Sequence, residues 1–110
     1  MKTLKTLFLL IFLAAFTQVN AQNPEKQAKK FTDRITEALS LTKEESDSVY
    51  KIQLARFKDS ESIKKEFEDD EETRKEKLKE LGNKVFNEMK NLLGKEKMKQ
   101  WNEFRTNKNN

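Results

Sequence analysis

From Pro24 onward, apolar residues recur every three or four positions and polar residues fill the gaps. That spacing predicts amphipathic helices, and no β-branched run alternates at period two, so no strand is expected. The first helix is expected to begin near Pro24, a residue suited to a first turn. Its apolar face is Ala28, Phe31, Ile35, Ala38 and Leu39, and "SLT" breaks it. Thr42 then caps the second helix: its hydroxyl can accept from the Glu45 N–H while the Glu45 carboxylate reaches back to the Thr42 N–H. Glu44, Glu45 and Asp47 also place negative charge at the positive end of the helix dipole. This helix carries two apolar stripes. Val49, Ile52, Ile63 and Phe67 share one narrow arc, and Tyr50, Leu54 and Phe57 share another, roughly a quarter-circle away. One stripe is expected to face the chain's own core. The Tyr50 stripe, with Arg56, Lys64 and Lys65 beside it, is expected to pack in a dimer or to bind partners.

"EFEDDEETRKEKLK", residues 66–79, reads either as a continuous solvated helix or as a frayed connection. A third helix is predicted on Leu78, Leu81, Val85, Met89 and Leu92, with Gly82 costing up to about 1 kcal/mol relative to Ala. "LLG" ends it. The last helix holds Met98, Trp101 and Phe104, and residues 107–110 are expected to be a disordered polar tail. There is also an internal repeat. "LTKEESDSVYKI", from Leu41, aligns with "LGKEKMKQWNEF", from Leu93, at a shift of 52 residues. Leu, Lys and Glu match at the first, third and fourth places, and Val49 and Ile52 fall on Trp101 and Phe104. Two helix-turn-helix units are implied. The fold class expected is all-α, with about four helices in helical hairpins.

The N-terminus changes the picture of where the chain works. Lys2 and Lys5 precede the unbroken apolar run "LFLLIFLAAF", and Val19 and Ala21 stand at the −3 and −1 places of a cleavage site. That order is a secretory signal peptide over residues 1–21, too short in its apolar part for a membrane span. Residues 22–106 then form a single helical domain. Loss of Lys2 and Lys5, with no acid, takes the formal charge from +4 to +2. Acids and bases are mixed rather than gathered in a basic stripe, so nucleic acid is not an expected partner. The chain has no Cys and no His. A small domain without disulfides has a thin core, which favours an oligomer. Without a His base, a Cys nucleophile or a Gly-rich phosphate loop, no enzyme activity and no cofactor is expected.

A small exported all-helical chain with two such motifs, Leu41-Thr42-Lys43-Glu44-Glu45 and Leu93-Gly94-Lys95-Glu96-Lys97, resembles the Spy/CpxP family of periplasmic proteins and their Leu-Thr-x-x-Gln motifs. The resemblance covers about residues 28–105. Glu45 stands where the family has Gln, and in the second copy Gly94 replaces Thr and Lys97 replaces Gln. Gly94 supplies no side-chain acceptor for a cap. The resemblance implies bent helical hairpins in a homodimer shaped like a shallow cradle. It implies a periplasmic, ATP-independent chaperone that shields unfolded envelope proteins, or, as the alternative, a regulatory adaptor on the periplasmic domain of an envelope-stress sensor kinase. The family's transition-metal binding through His or Cys does not transfer to a chain that has neither.

Overall fold

The computed structural model describes residues 23–109; the expected signal peptide, residues 1–21, lies outside them. Four helices follow in order: α1 (Pro24–Leu39), α2 (Lys43–Glu66), α3 (Glu71–Leu93) and α4 (Lys95–Asn109). The described residues hold no strand, so the chain is all-α, as its periodicity predicts. α1 packs on α2, α2 on α3, α3 on α4, and α4 returns to α1, so the two helical hairpins close into a ring.

Side chains fix the helix starts. Asn23 Oδ1 accepts from the Lys26 N–H at 2.7 Å, and Pro24 follows in the first turn of α1. Thr42 and Glu45 form the expected capping box, with bonds of 3.1 and 3.0 Å. Asp70 caps α3, accepting from the Thr73 N–H at 3.1 Å and from its hydroxyl at 2.6 Å. Between α1 and α2 the chain needs a sharp stop. Ser40 takes the left-handed conformation (φ 52°), and the Leu41 N–H reaches back to the Thr36 carbonyl at 3.1 Å. The turn is held further by the Thr36 and Ser46 hydroxyls, 2.7 Å apart.

The core gathers at one end of the ring. It consists of Ile35, Leu41, Val49, Val85, Met89, Leu93, Met98 and Trp101, with Phe31, Ile52 and Leu81 packed against it. Each fully buried apolar side chain contributes about 1.5–3 kcal/mol. α2 and α3 are about 36 and 35 Å long at 1.5 Å per residue, and they run on beyond this core as a two-helix arm. No residue from Leu54 to Lys84 is buried.

Three sequence expectations change. Residues 66–79 are neither one continuous helix nor a frayed link. α2 stops at Glu66, residues 67–70 turn, and Glu71 to Lys79 are regular helix. Arg74 closes the turn, donating to the Glu68 and Phe67 carbonyls at 2.9 and 3.4 Å. Phe67, placed by its spacing on the α2 stripe, leaves the helix as its C-cap. α4 continues to Asn109, past Thr106, where the sequence reading ended the domain.

Candidate binding groove

The two motif copies meet. Glu45 and Lys97 occupy the same fifth place in each, and the Lys97 ammonium donates to Glu45 Oε2 at 2.9 Å. The other oxygen, Oε1, holds the Thr42 N–H. One carboxylate therefore closes the α2 cap and ties the start of α2 to the first turns of α4. The Thr42 N–H, and then Lys97, hold its pKa below the ordinary carboxylate value. The first places, Leu41 and Leu93, are both in the core, and so are Val49 and Trp101, eight residues further on in each copy. The repeat in the sequence is thus a pairing in space.

Gly94 explains the most obvious irregularity of the second copy. Residues 40–42 separate α1 from α2, so Ser40 can turn left-handed and Thr42 can cap from an extended conformation (φ −70°, ψ 165°). A single residue separates α3 from α4. Gly94 donates to the Lys90 carbonyl at 2.8 Å and accepts from the Met98 N–H at 3.2 Å. Doing both requires φ 91° and ψ 163°, a region essentially reserved for glycine. A Thr there would be strained although a Cβ would meet no atom within 4 Å.

Beside this junction α3 and α4 leave an open apolar groove. Phe86 and Met98 supply its apolar surface, and Lys90, Lys95, Lys99, Asn102 and Glu103 complete the lining of an open space of about 370 Å³. Phe86 is 45% exposed and Phe104 37% exposed, the largest apolar side chains open to solvent among the described residues. The groove continues inward past Phe86 into a second hollow of about 150 Å³ that reaches Phe31, Gln53, Arg56, Trp101 and Arg105. Trp101 organises this inner end. Phe31 meets it edge-on at 5.4 Å, Phe104 stacks on it at 5.7 Å, and the Arg34 and Arg105 guanidinium groups lie 5.9 and 5.8 Å from its ring. Arg56 lies 5.9 Å from the Phe31 ring and 5.1 Å from the Phe57 ring. Burial first, and the charge of Arg105 second, lower the Arg56 pKa.

The sequence-predicted surface residues do not form one site. Tyr50, Leu54 and Phe57 are half-buried and lie outside the core cluster. The midline of α2 between the two stripes holds Gln53, 1% exposed, whose Oε1 accepts from Arg56 at 3.0 Å. The two stripes are therefore flanks of one broad buried face that a polar residue divides in the sequence. Arg56 joins Arg105 at the groove. Lys64 and Lys65 sit exposed in the last turn of α2, out on the arm, where they complement the helix dipole. Phe86 escaped the sequence reading because it lies off the Val85–Met89 stripe. Its signal was Leu93, two turns away on the same face. Phe104, on the last helix with Trp101, stacks on it and remains partly open.

Among the described residues, no group of three or more His, Cys, Asp or Glu side chains converges to hold a metal, and no helix is long and apolar enough to cross a membrane. Comparison with family models, curated proteins and solved structures finds no match.

Proposed function

We propose that this chain is an exported, periplasmic holding chaperone that shields unfolded segments of envelope proteins without ATP, using the groove between α3 and α4. The observation that carries the reading is the open Phe86 side chain in an apolar groove rimmed by three lysines, Lys90, Lys95 and Lys99, and one carboxylate, Glu103. A contiguous exposed apolar surface with a polar rim is the arrangement expected of a surface that covers another chain. The cations speed encounter and keep the complex soluble. Release follows when the client buries its own apolar residues, so no nucleotide is required. The resemblance of the Leu41–Glu45 and Leu93–Lys97 motifs to the Spy/CpxP family supports the same reading.

The Tyr50–Leu54–Phe57 flank is assigned to a homodimer contact. Nine apolar side chains are buried in the described chain, a small core for a domain without disulfides. A half-buried apolar flank outside that core supplies further area to bury. The test is light scattering from a chemically unfolded client, with purified Gln22–Asn110 added at increasing ratios. Suppression near equal ratios is expected, and Phe86→Ser is expected to weaken it while far-UV circular dichroism stays unchanged. Full protection by Phe86→Ser would remove the groove from the function. No protection by the folded wild type would leave a single specific partner, as an adaptor has.

A further inference from the structure

The inner end of the groove holds two cations without an anion. Arg56 and Arg105 both line it, against Phe31, Phe86, Met98 and Trp101. Each guanidinium is steered by one neutral amide: Arg56 donates to Gln53 Oε1 at 3.0 Å, and Arg105 donates to Asn102 Oδ1 at 2.7 Å. Each also lies against an aromatic ring, Arg56 on Phe57 and Arg105 on Trp101. Among the described residues neither forms an ion pair; the four ion pairs all use lysines. A guanidinium has five N–H donors, so the amide contacts fix orientation and leave most donors unused. Burial lowers the Arg56 pKa, and the charge of Arg105 lowers it further. Two like charges held over an apolar floor cost free energy that a bound anion would offset.

The chemistry narrows the anion. A guanidinium fork matches the planar, two-oxygen geometry of a carboxylate. Apart from Gln53 and Asn102, the surrounding walls are mostly aromatic and aliphatic, which favours an anion that arrives beside an apolar group. At the last residue of a polypeptide, a carboxylate and an apolar side chain share one Cα, so one residue can reach the guanidinium groups and the apolar wall together. We propose that the Arg56–Arg105 end of the groove binds the C-terminal carboxylate of a polypeptide whose last residue is apolar. This rests on the reading of the groove as a chain-binding surface and names the part of the client it selects.

Trp101 is the only tryptophan and lines the hollow, so its fluorescence reports occupancy. The probe is acetyl-Ala-Ala-Leu-Phe with a free C-terminus, compared with the same peptide as its amide and with acetyl-Ala-Asp-Leu-Phe-amide. The free acid is expected to bind at least about tenfold more tightly than either amide, the scale of one charge-assisted contact. Arg105→Gln, at an exposed position, is expected to bring the free acid down to the affinity of its amide. Equal affinity of acid and amide would overturn the proposal, and so would an Asp-containing amide that binds as well as the acid. If acid and amide are equal while an unfolded client is still protected in light scattering, the carboxylate site falls and the chaperone reading stands. If no peptide binds and no client is protected, both fall.

Discussion

Leu78 and Leu81 share a helix and a spacing with Val85, Met89 and Leu93, yet only the last three are buried. The difference lies in what surrounds them. The C-terminal part of α3 is covered by α2 on one side and by α4 on the other. Its N-terminal part has α2 alone, and Ile63 and Leu81 line a shallow open hollow between the two. Amphipathic spacing therefore says which way a residue faces and not how many neighbours will cover it. The packed end carries the core, the paired motifs and the groove. The arm carries a charged surface, two exposed i,i+3 or i,i+4 ion pairs and a capped turn. Exposed pairs of this kind contribute little, so the arm should open locally far more readily than the packed end.

The sharpest way to break the comparison is a pair of truncations. Ile35→Ala, at a fully buried site, is expected to cost about 2–5 kcal/mol in urea unfolding, whereas Leu78→Ala on the arm should cost about 1 kcal/mol or less. Equal costs would erase the distinction. Next comes the junction. Gly94→Thr restores the residue that the family resemblance expects and should nevertheless destabilise by about 1–3 kcal/mol, because the backbone there is left-handed and extended. A neutral result would mean that α3 and α4 can be joined another way. Thr42→Ala removes the α2 cap and should cost about 1 kcal/mol in the same assay. Gly82→Ala should do the opposite. The site is helical and a Cβ would meet nothing within 4 Å, so stability should rise by up to about 1 kcal/mol.

The smallest effect is a pH dependence at both ends. Glu45 and Asp70 have folded pKa values lowered by their hydrogen bonds, Glu45 chiefly by the Thr42 N–H and Asp70 chiefly by the Thr73 hydroxyl. Their contribution is complete above the ordinary carboxylate pKa, about 4, and is lost as pH falls through the lowered folded values. Thermal melting should therefore shift downward below about pH 4. Glu45→Gln should reduce the part of that shift due to the packed end, and Asp70→Asn the part due to the arm turn. Unchanged acid sensitivity in both variants would contradict the assignment.

Much of the fold was legible because helical spacing, Pro24, Thr42–Glu45 and Gly94 are local signals. The repeat was legible too, although its consequence, the Glu45–Lys97 pair, joins helices that only tertiary packing brings together. The groove was less legible. Gln53 reads as polar and so divided one buried face into two stripes. Phe86 stands outside the periodic row, and its exposure depends on where α4 lies. Arg56 was singled out on α2, but its partner Arg105 comes from the other end of the chain. The arm turn was open to two readings because a charge run does not say which of its acids will cap; Asp70 does so through Thr73.

The most direct test of the account is amide chemical-shift mapping of the folded chain during titration with an unfolded envelope protein. The predicted perturbations cluster on Phe86, Lys90, Met98, Trp101, Asn102 and Arg105, with the arm from Asp59 to Leu78 unchanged. Perturbations confined to the arm or to the Tyr50–Leu54–Phe57 flank, or none at client excess, would contradict it.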